Sequence, residues 1–148
     1  MKVLKNISWI LFLTWSISAC SVGPQPIEYG EDVCDFCKMT IVDRQFAAEL
    51  VTSKGKIFKF DAIECMVPFR QQKEGTSFSY TLVNDYQKPG ELMDAEWSYY
   101  LISPAIPSPM GGNLSAFSTV AAAEGIQKEK GGVVYSWKEL QVGIRNEK

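Results

Sequence analysis

The chain has 148 residues, 46% hydrophobic and 12% aromatic. That suits one compact domain, or two small units sharing a core, and excludes a disordered chain. A net charge of −2 leaves no basic footprint for a phosphate backbone, which excludes nucleic acid as a partner.

Residues 1–19 have the layout of an export signal. Lys2 and Lys5 form a charged start, and Ile7 to Ile17 is an apolar run broken only by Ser8, Thr14 and Ser16. The run is too short for a stable membrane span. Ile17-Ser18-Ala19-Cys20 resembles a bacterial lipobox, in which Cys20 would be acylated and become the mature N-terminus. Cleavage there would leave 13 Lys and Arg against 17 acids, a net of −4. Residues 20–33, with Pro24, Pro26 and Gly30, are expected to form a lipid-anchored flexible tether. Export would place the remaining thiols where disulfides are permitted.

The folded domain is expected over 34–148. Thr40-Ile41-Val42 and Phe46 to Val51 read as extended segments. Ser53-Lys54-Gly55-Lys56 is a turn, and Ile57-Phe58-Lys59-Phe60 returns as a strand with both phenylalanines on one face. Asp61, with Glu64 three residues on, has the spacing of a helix-capping box. Ile63, Met66, Val67 and Arg70 then follow helical spacing until Lys73-Glu74-Gly75 ends the run, and Pro68 is expected to shorten or kink the helix. Ser79 to Val83 reads as a strand.

A second pass repeats the order. Trp97 to Ile102 is a strand, Ser103 to Asn113 a Pro/Gly loop and Leu114 to Phe117 a short strand. Ser118 would cap a helix through Glu124, and Gly131-Gly132 turns into the strand Val133 to Trp137. The stretch Phe58-Lys59-Phe60-Asp61-Ala62-Ile63 is echoed by Ser115-Ala116-Phe117-Ser118-Thr119-Val120. The expected fold is α+β, two ββαβ-like units packed together, with halves at about 34–88 and 89–148.

Chemistry concentrates in Cys34-Asp35-Phe36-Cys37-Lys38-Met39, two thiols and a thioether within six residues. A disulfide between Cys34 and Cys37 fits an exported chain. A redox pair would normally open a helix that lowers the nucleophile's pKa, whereas Lys-Met-Thr-Ile-Val favours a strand. Structural zinc wants four nitrogen or sulfur donors. With no histidine, only Cys65 remains to add to the pair once Cys20 is committed to the leader. Histidine's absence also removes the usual general base, and there is no nucleophile elbow or phosphate loop, so a hydrolase fits poorly and no enzyme is expected.

Copper(I) accepts two or three soft ligands, so the sulfurs present suffice. A strand through Cys37 and Met39 would point both side chains to one face, with Lys38 away and Cys34 joining only if the loop bends. Met110, in the polar loop Ser108-Pro109-Met110-Gly111-Gly112, has no evident packing duty and could supply a third donor. Met66 reads as a core gap-filler, Met93 has no partner motif, and Cys65 reads as a buried small hydrophobe.

Cys20, the Cys34–Met39 motif, Phe46-Ala47-Ala48, Phe58-Lys59-Phe60-Asp61, Pro109-Met110-Gly111 and Ala116-Phe117 together resemble a NosL-type lipoprotein, over about residues 34–137. The resemblance implies copper(I) binding and supply of copper to nitrous oxide reductase, whose active site is a copper–sulfide cluster. It implies Cys37, Met39 and Met110 as ligands, with Cys34 a fourth or an alternate. Lys38 departs from the small residue expected before the methionine. The implied setting is the cell envelope: a lipoprotein facing the periplasm from the outer membrane and taking copper from an unidentified donor. The rival reading is a thiol–disulfide oxidoreductase using Cys34 and Cys37.

Overall fold

The structure, a computed structural model, describes residues 22–146. The expected leader and Cys20 lie outside them. Seven strands and three helices are present among the described residues. They are β1 (Ala48–Thr52), β2 (Ile57–Phe60), α1 (Ile63–Gln72), β3 (Phe78–Asp85), β4 (Lys88–Asp94), β5 (Tyr99–Ile102), β6 (Leu114–Phe117), α2 (Val120–Lys130), β7 (Val133–Ser136) and α3 (Trp137–Asn146).

Two antiparallel sheets carry the fold, with strand orders β2-β1-β3-β4 and β6-β5-β7. In both, the first strand is central, the second and third flank it, and a helix joins the flanking pair. The fold is α+β with this ββαβ pattern used twice. The sequence echo falls in place: Phe60 ends β2 as Phe117 ends β6, and Ile63 opens α1 as Val120 opens α2. To the first copy the chain adds β4, to the second α3; neither is announced by an expected element.

Alternation decides what each strand buries. Phe58 and Phe60 do share a face, and Phe69 of α1 packs on both, with ring centroids 4.8 and 5.1 Å away. Tyr100 of β5 joins the main core and stacks against Trp137 of α3, while Leu101 turns to a second cluster with Phe46, Phe117 and Ala123. The second sheet is therefore apolar on both faces.

The central strand β1 is buried throughout, including Glu49. A segment expected to be slack tether covers it. Gln25 donates its backbone N–H to Glu49 (3.0 Å), Ile27 enters the core, and Lys59 Nζ reaches the Pro26 carbonyl and Asp32. Packing thus begins upstream of residue 34, where the Gln25 N–H satisfies one oxygen of the buried Glu49 carboxyl.

Several local expectations change. Thr40 to Val42 is not a strand; Thr40 makes one isolated bridge to Val33. The residue before α1 is Ala62, with no side-chain cap, so the Asp61/Glu64 capping box does not form. Helix α1 is not shortened at Pro68 and ends at Gln72, just before Lys73-Glu74-Gly75 as expected. Thr119, not Ser118, caps α2 by accepting from the Ala122 N–H.

Burial raises the Glu49 carboxyl above its ordinary 4.5, against the lowering effect of the Gln25 N–H and Lys59. Folded protein therefore holds the proton more tightly than unfolded protein. The sign follows: stability falls as pH rises from about 4.5 through the folded-state value. Glu49→Gln keeps the acceptor for Gln25 and should flatten this decline. Urea midpoints measured from pH 4.5 to 8 check it, and an unchanged pH slope would contradict the assignment.

Candidate metal centre

Residues 34–39 form a closed loop rather than a strand. The Cys34 N–H donates to the Met39 carbonyl (2.8 Å) and the Lys38 N–H to the Cys34 carbonyl (3.1 Å). Closing the ring forces Lys38 into the left-handed region, at φ 65°. This conformation suits glycine and burdens a residue with a Cβ. The small residue expected before the methionine thus has a backbone reason. Lysine compensates in part by donating from Nζ to the Asp35 carbonyl (2.6 Å).

The loop is stitched to β2. The Asp35 N–H donates to the Lys59 carbonyl (2.9 Å), and the Lys59 N–H donates to Asp35 Oδ2 (2.9 Å). These reciprocal bonds lay Cys34 against the end of β2 and the start of α1, where Cys65 lies in the first turn of the helix. The Sγ atoms of Cys34, Cys37 and Cys65 all lie within 4.8 Å of one another. Cys34 and Cys65 are fully buried and Cys37 is half-buried. All three are free thiols.

The three sulfurs titrate differently. The Cys65 S–H donates to Cys34 and, against burial, holds the Cys34 thiol down at about 5, helped by the backbone N–H groups of Asp61, Cys37 and Phe36. Burial pushes the Cys37 thiol up. Donating its proton to Cys34, together with burial, pushes Cys65 up as well. The hydrogen bonds thus favour the anionic form at Cys34 over the other two sulfurs. Such an anion is a ready ligand for a soft cation. Asp61 is raised by burial and then by the charge of Cys34.

The methionines stand at the surface. Met39 is 53% exposed and Met110 40% exposed. Met110 sits on a loop tied to the same helix. Glu64 accepts a short bond from the Ser108 hydroxyl and another from the Leu114 N–H (3.4 Å). Ser108 also accepts from the Asn113 N–H (2.9 Å). Gly112 lies against the Glu64 side chain so closely that a Cβ would stand 2.8 Å from Glu64 Cγ. The loop of the second half is thereby held beside the residue that precedes Cys65. Burial raises the Glu64 carboxyl, opposed by the Ser108 hydroxyl and by its own, Leu114 and Gly112 N–H groups.

Of the residues singled out in the sequence, Cys34 and Cys37 meet in the cluster. Met39 follows on the same loop with its side chain exposed, Met110 stands on the loop anchored by Glu64, and Cys20 is outside the described residues. Met66 is buried in the core, as expected. Cys65 is fully buried, as its sequence context suggests, but it faces two other thiols. No local signal marks it, because the contact depends on Asp35 pairing with Lys59. Glu64 is the second residue missed: its spacing suggests a cap, yet it binds a distant loop. Two clefts of about 780 and 480 Å³ lie elsewhere, and neither is lined by a cysteine.

A protein-family model described as NosL matches residues 26–144. A relative from Stutzerimonas stutzeri, named copper-binding lipoprotein NosL, is 26% identical over 132 residues, covering 83% of this chain and 70% of its own. The crystal structure of the copper chaperone NosL from Shewanella denitrificans has a TM-score of 0.68 at 21% identity. It covers 80% of this chain and 96% of that one, and shows the same fold. Both names describe copper-handling proteins rather than enzymes.

Two measurements check this geometry. Lys38→Gly should relieve the left-handed backbone and raise stability by about 1 kcal/mol, read from the denaturant midpoint. Glu64→Ala should cost about 1–3 kcal/mol through the lost acceptor and speed amide exchange at Leu114. Unchanged exchange there would show that the loop is held by something else.

Proposed function

The chain belongs to the NosL family, and on that premise we propose that it is a copper(I)-binding chaperone, lipid-anchored through Cys20, that delivers copper to nitrous oxide reductase. The observation that carries copper binding is the sulfur cluster, three Sγ atoms within 4.8 Å of one another. Cys37, Met39 and Met110 are the ligands through which copper arrives and leaves, with Cys34 behind them. Imidazole donors are not available from a chain without histidine. An all-sulfur set selects the monovalent, soft ion over divalent competitors.

Transfer is ligand exchange. A thiolate at Cys37 anchors the ion, and the exposed thioethers of Met39 and Met110 give way one at a time to sulfur or nitrogen donors of the acceptor. Copper stays monovalent throughout. Lys38 sets a cation beside the exit and favours an acceptor carrying acidic groups there. The acylated N-terminus holds the domain at a membrane, taken to be the outer membrane with the domain facing the periplasm. No helix among the described residues is long and apolar enough to cross a membrane. The copper donor is a second protein partner, unidentified by chemistry on this chain.

A dithiol oxidoreductase fits less well. Its nucleophile should be a low-pKa thiol open to solvent. Here the low-pKa thiol, Cys34, is fully buried, and the pair opens a tight loop rather than a helix.

Titration of the reduced protein with copper(I) against a chromophoric chelator tests the reading. Cys37→Ala should weaken binding by at least about tenfold, the cost of one lost strong ligand at about 1.4 kcal/mol per decade. Met110→Leu should weaken it less. Equal affinity of wild type and Cys37→Ala would sink the assignment, and turnover of a disulfide substrate without copper binding would favour the rival. Copper has to displace protons from the raised thiols, so apparent affinity should climb with pH from 6 to 9. Delivery is checked by mixing the copper-loaded protein with copper-free nitrous oxide reductase and following the metal.

A further inference from the structure

Burial of the sulfurs is graded. Cys34 and Cys65 are fully buried, Cys37 is half-buried, and Met39 and Met110 are 53% and 40% exposed. Cys37 is thus the one donor that belongs to both an exposed set and a buried set. The exposed set is the entry position proposed above, Cys37, Met39 and Met110. The buried set is Cys34, Cys37 and Cys65, whose Sγ atoms lie within 4.8 Å of one another. Cys65 comes from a different element, α1, and is fixed there by helix packing rather than by the loop.

We propose that Cys65 is itself a copper ligand, and that Cys34, Cys37 and Cys65 make an inner three-sulfur holding position behind the exposed entry position. This rests on the copper-chaperone reading and assigns a second position within it. In the inward step the bonds from copper to the Met39 and Met110 sulfurs break, and bonds to the Cys34 and Cys65 sulfurs form, with Cys37 bonded throughout. Any proton that Cys34 or Cys65 carries leaves to water as its bond to copper forms, copper remains monovalent, and no electron moves. The two positions divide the work. Thiolates shielded from water hold the ion against competing chelators, and thioethers at the surface release it to an acceptor. The backbone N–H groups of Phe36, Cys37 and Asp61 spread the negative charge that the bound thiolates would otherwise concentrate in a buried site.

Copper(I) itself is the probe, added to the reduced full-length protein. Chelator competition should give Cys65→Ser an affinity at least about tenfold lower than the wild type, because the ion then falls back on the exposed position. In the unmutated protein, the Cβ resonance of Cys65 should shift on loading together with those of Cys34 and Cys37. This readout holds even where Cys65→Ser fails to fold. A wild type that binds copper while the Cys65 resonance stays put, or a folded Cys65→Ser of unchanged affinity, overturns the inner position and leaves the chaperone reading standing. A wild type that binds no copper overturns that reading and the inner position with it.

Discussion

The reciprocal hydrogen bonds between Asp35 and the backbone of Lys59 are what the site depends on. They make the cysteine loop a continuation of the first sheet's edge. Once the loop is registered there, Cys34 comes to rest against the first turn of α1, and the thiol of Cys65 has a sulfur to face. Lys59 is a crossroads, since its ammonium also ties down Pro26 and Asp32 on the covering segment. Loop, strand and N-terminal cover therefore share one anchor.

Glu64 does the equivalent work between the halves. A carboxylate this deeply placed is costly unless its oxygens are hydrogen-bonded. Ser108 and Leu114 satisfy one oxygen, while the other finds no partner among the described residues. The second half thereby brings its methionine loop to the helix that carries Cys65. The duplicated ββαβ plan explains why this is possible: two sheets with the same strand order pack so that the helix of one copy meets the loop after the first strand of the other.

Legibility in the sequence tracked the range of the interaction. Ile57–Phe60 and Leu114–Phe117 were readable because period-two alternation and flanking turns are local. The capping motif at Asp61 and Glu64 misled because spacing says nothing of which partner a carboxylate chooses. The same pattern at Ser136 and Glu139 does form, with Glu139 accepting from the Ser136 N–H (2.7 Å) at the start of α3. Pro68 did not stop α1, because packing of Met66, Val67 and Phe69 outweighs one lost bond. β4 escaped because its residues are mostly exposed and carry Pro89 and Gly90. The turn Gly131-Gly132 is a strict requirement: both glycines have positive φ, and a Cβ at Gly132 would collide with the Ile102 carbonyl.

By itself the sequence determined the soft-donor chemistry, the α+β plan used twice and the candidate ligands Cys34, Cys37, Met39 and Met110. Those follow from residue type, periodicity and motif, all carried within a few residues. Only the tertiary structure decided which thiols share a site, that Lys38 pays a left-handed backbone for closing the loop, and that Glu64 serves a distant loop. It also decided that the methionines stand outside while two cysteines lie within. Those outcomes turn on hydrogen bonds between residues far apart in the chain, such as Asp35 with Lys59 and Glu64 with Ser108, which no local pattern encodes.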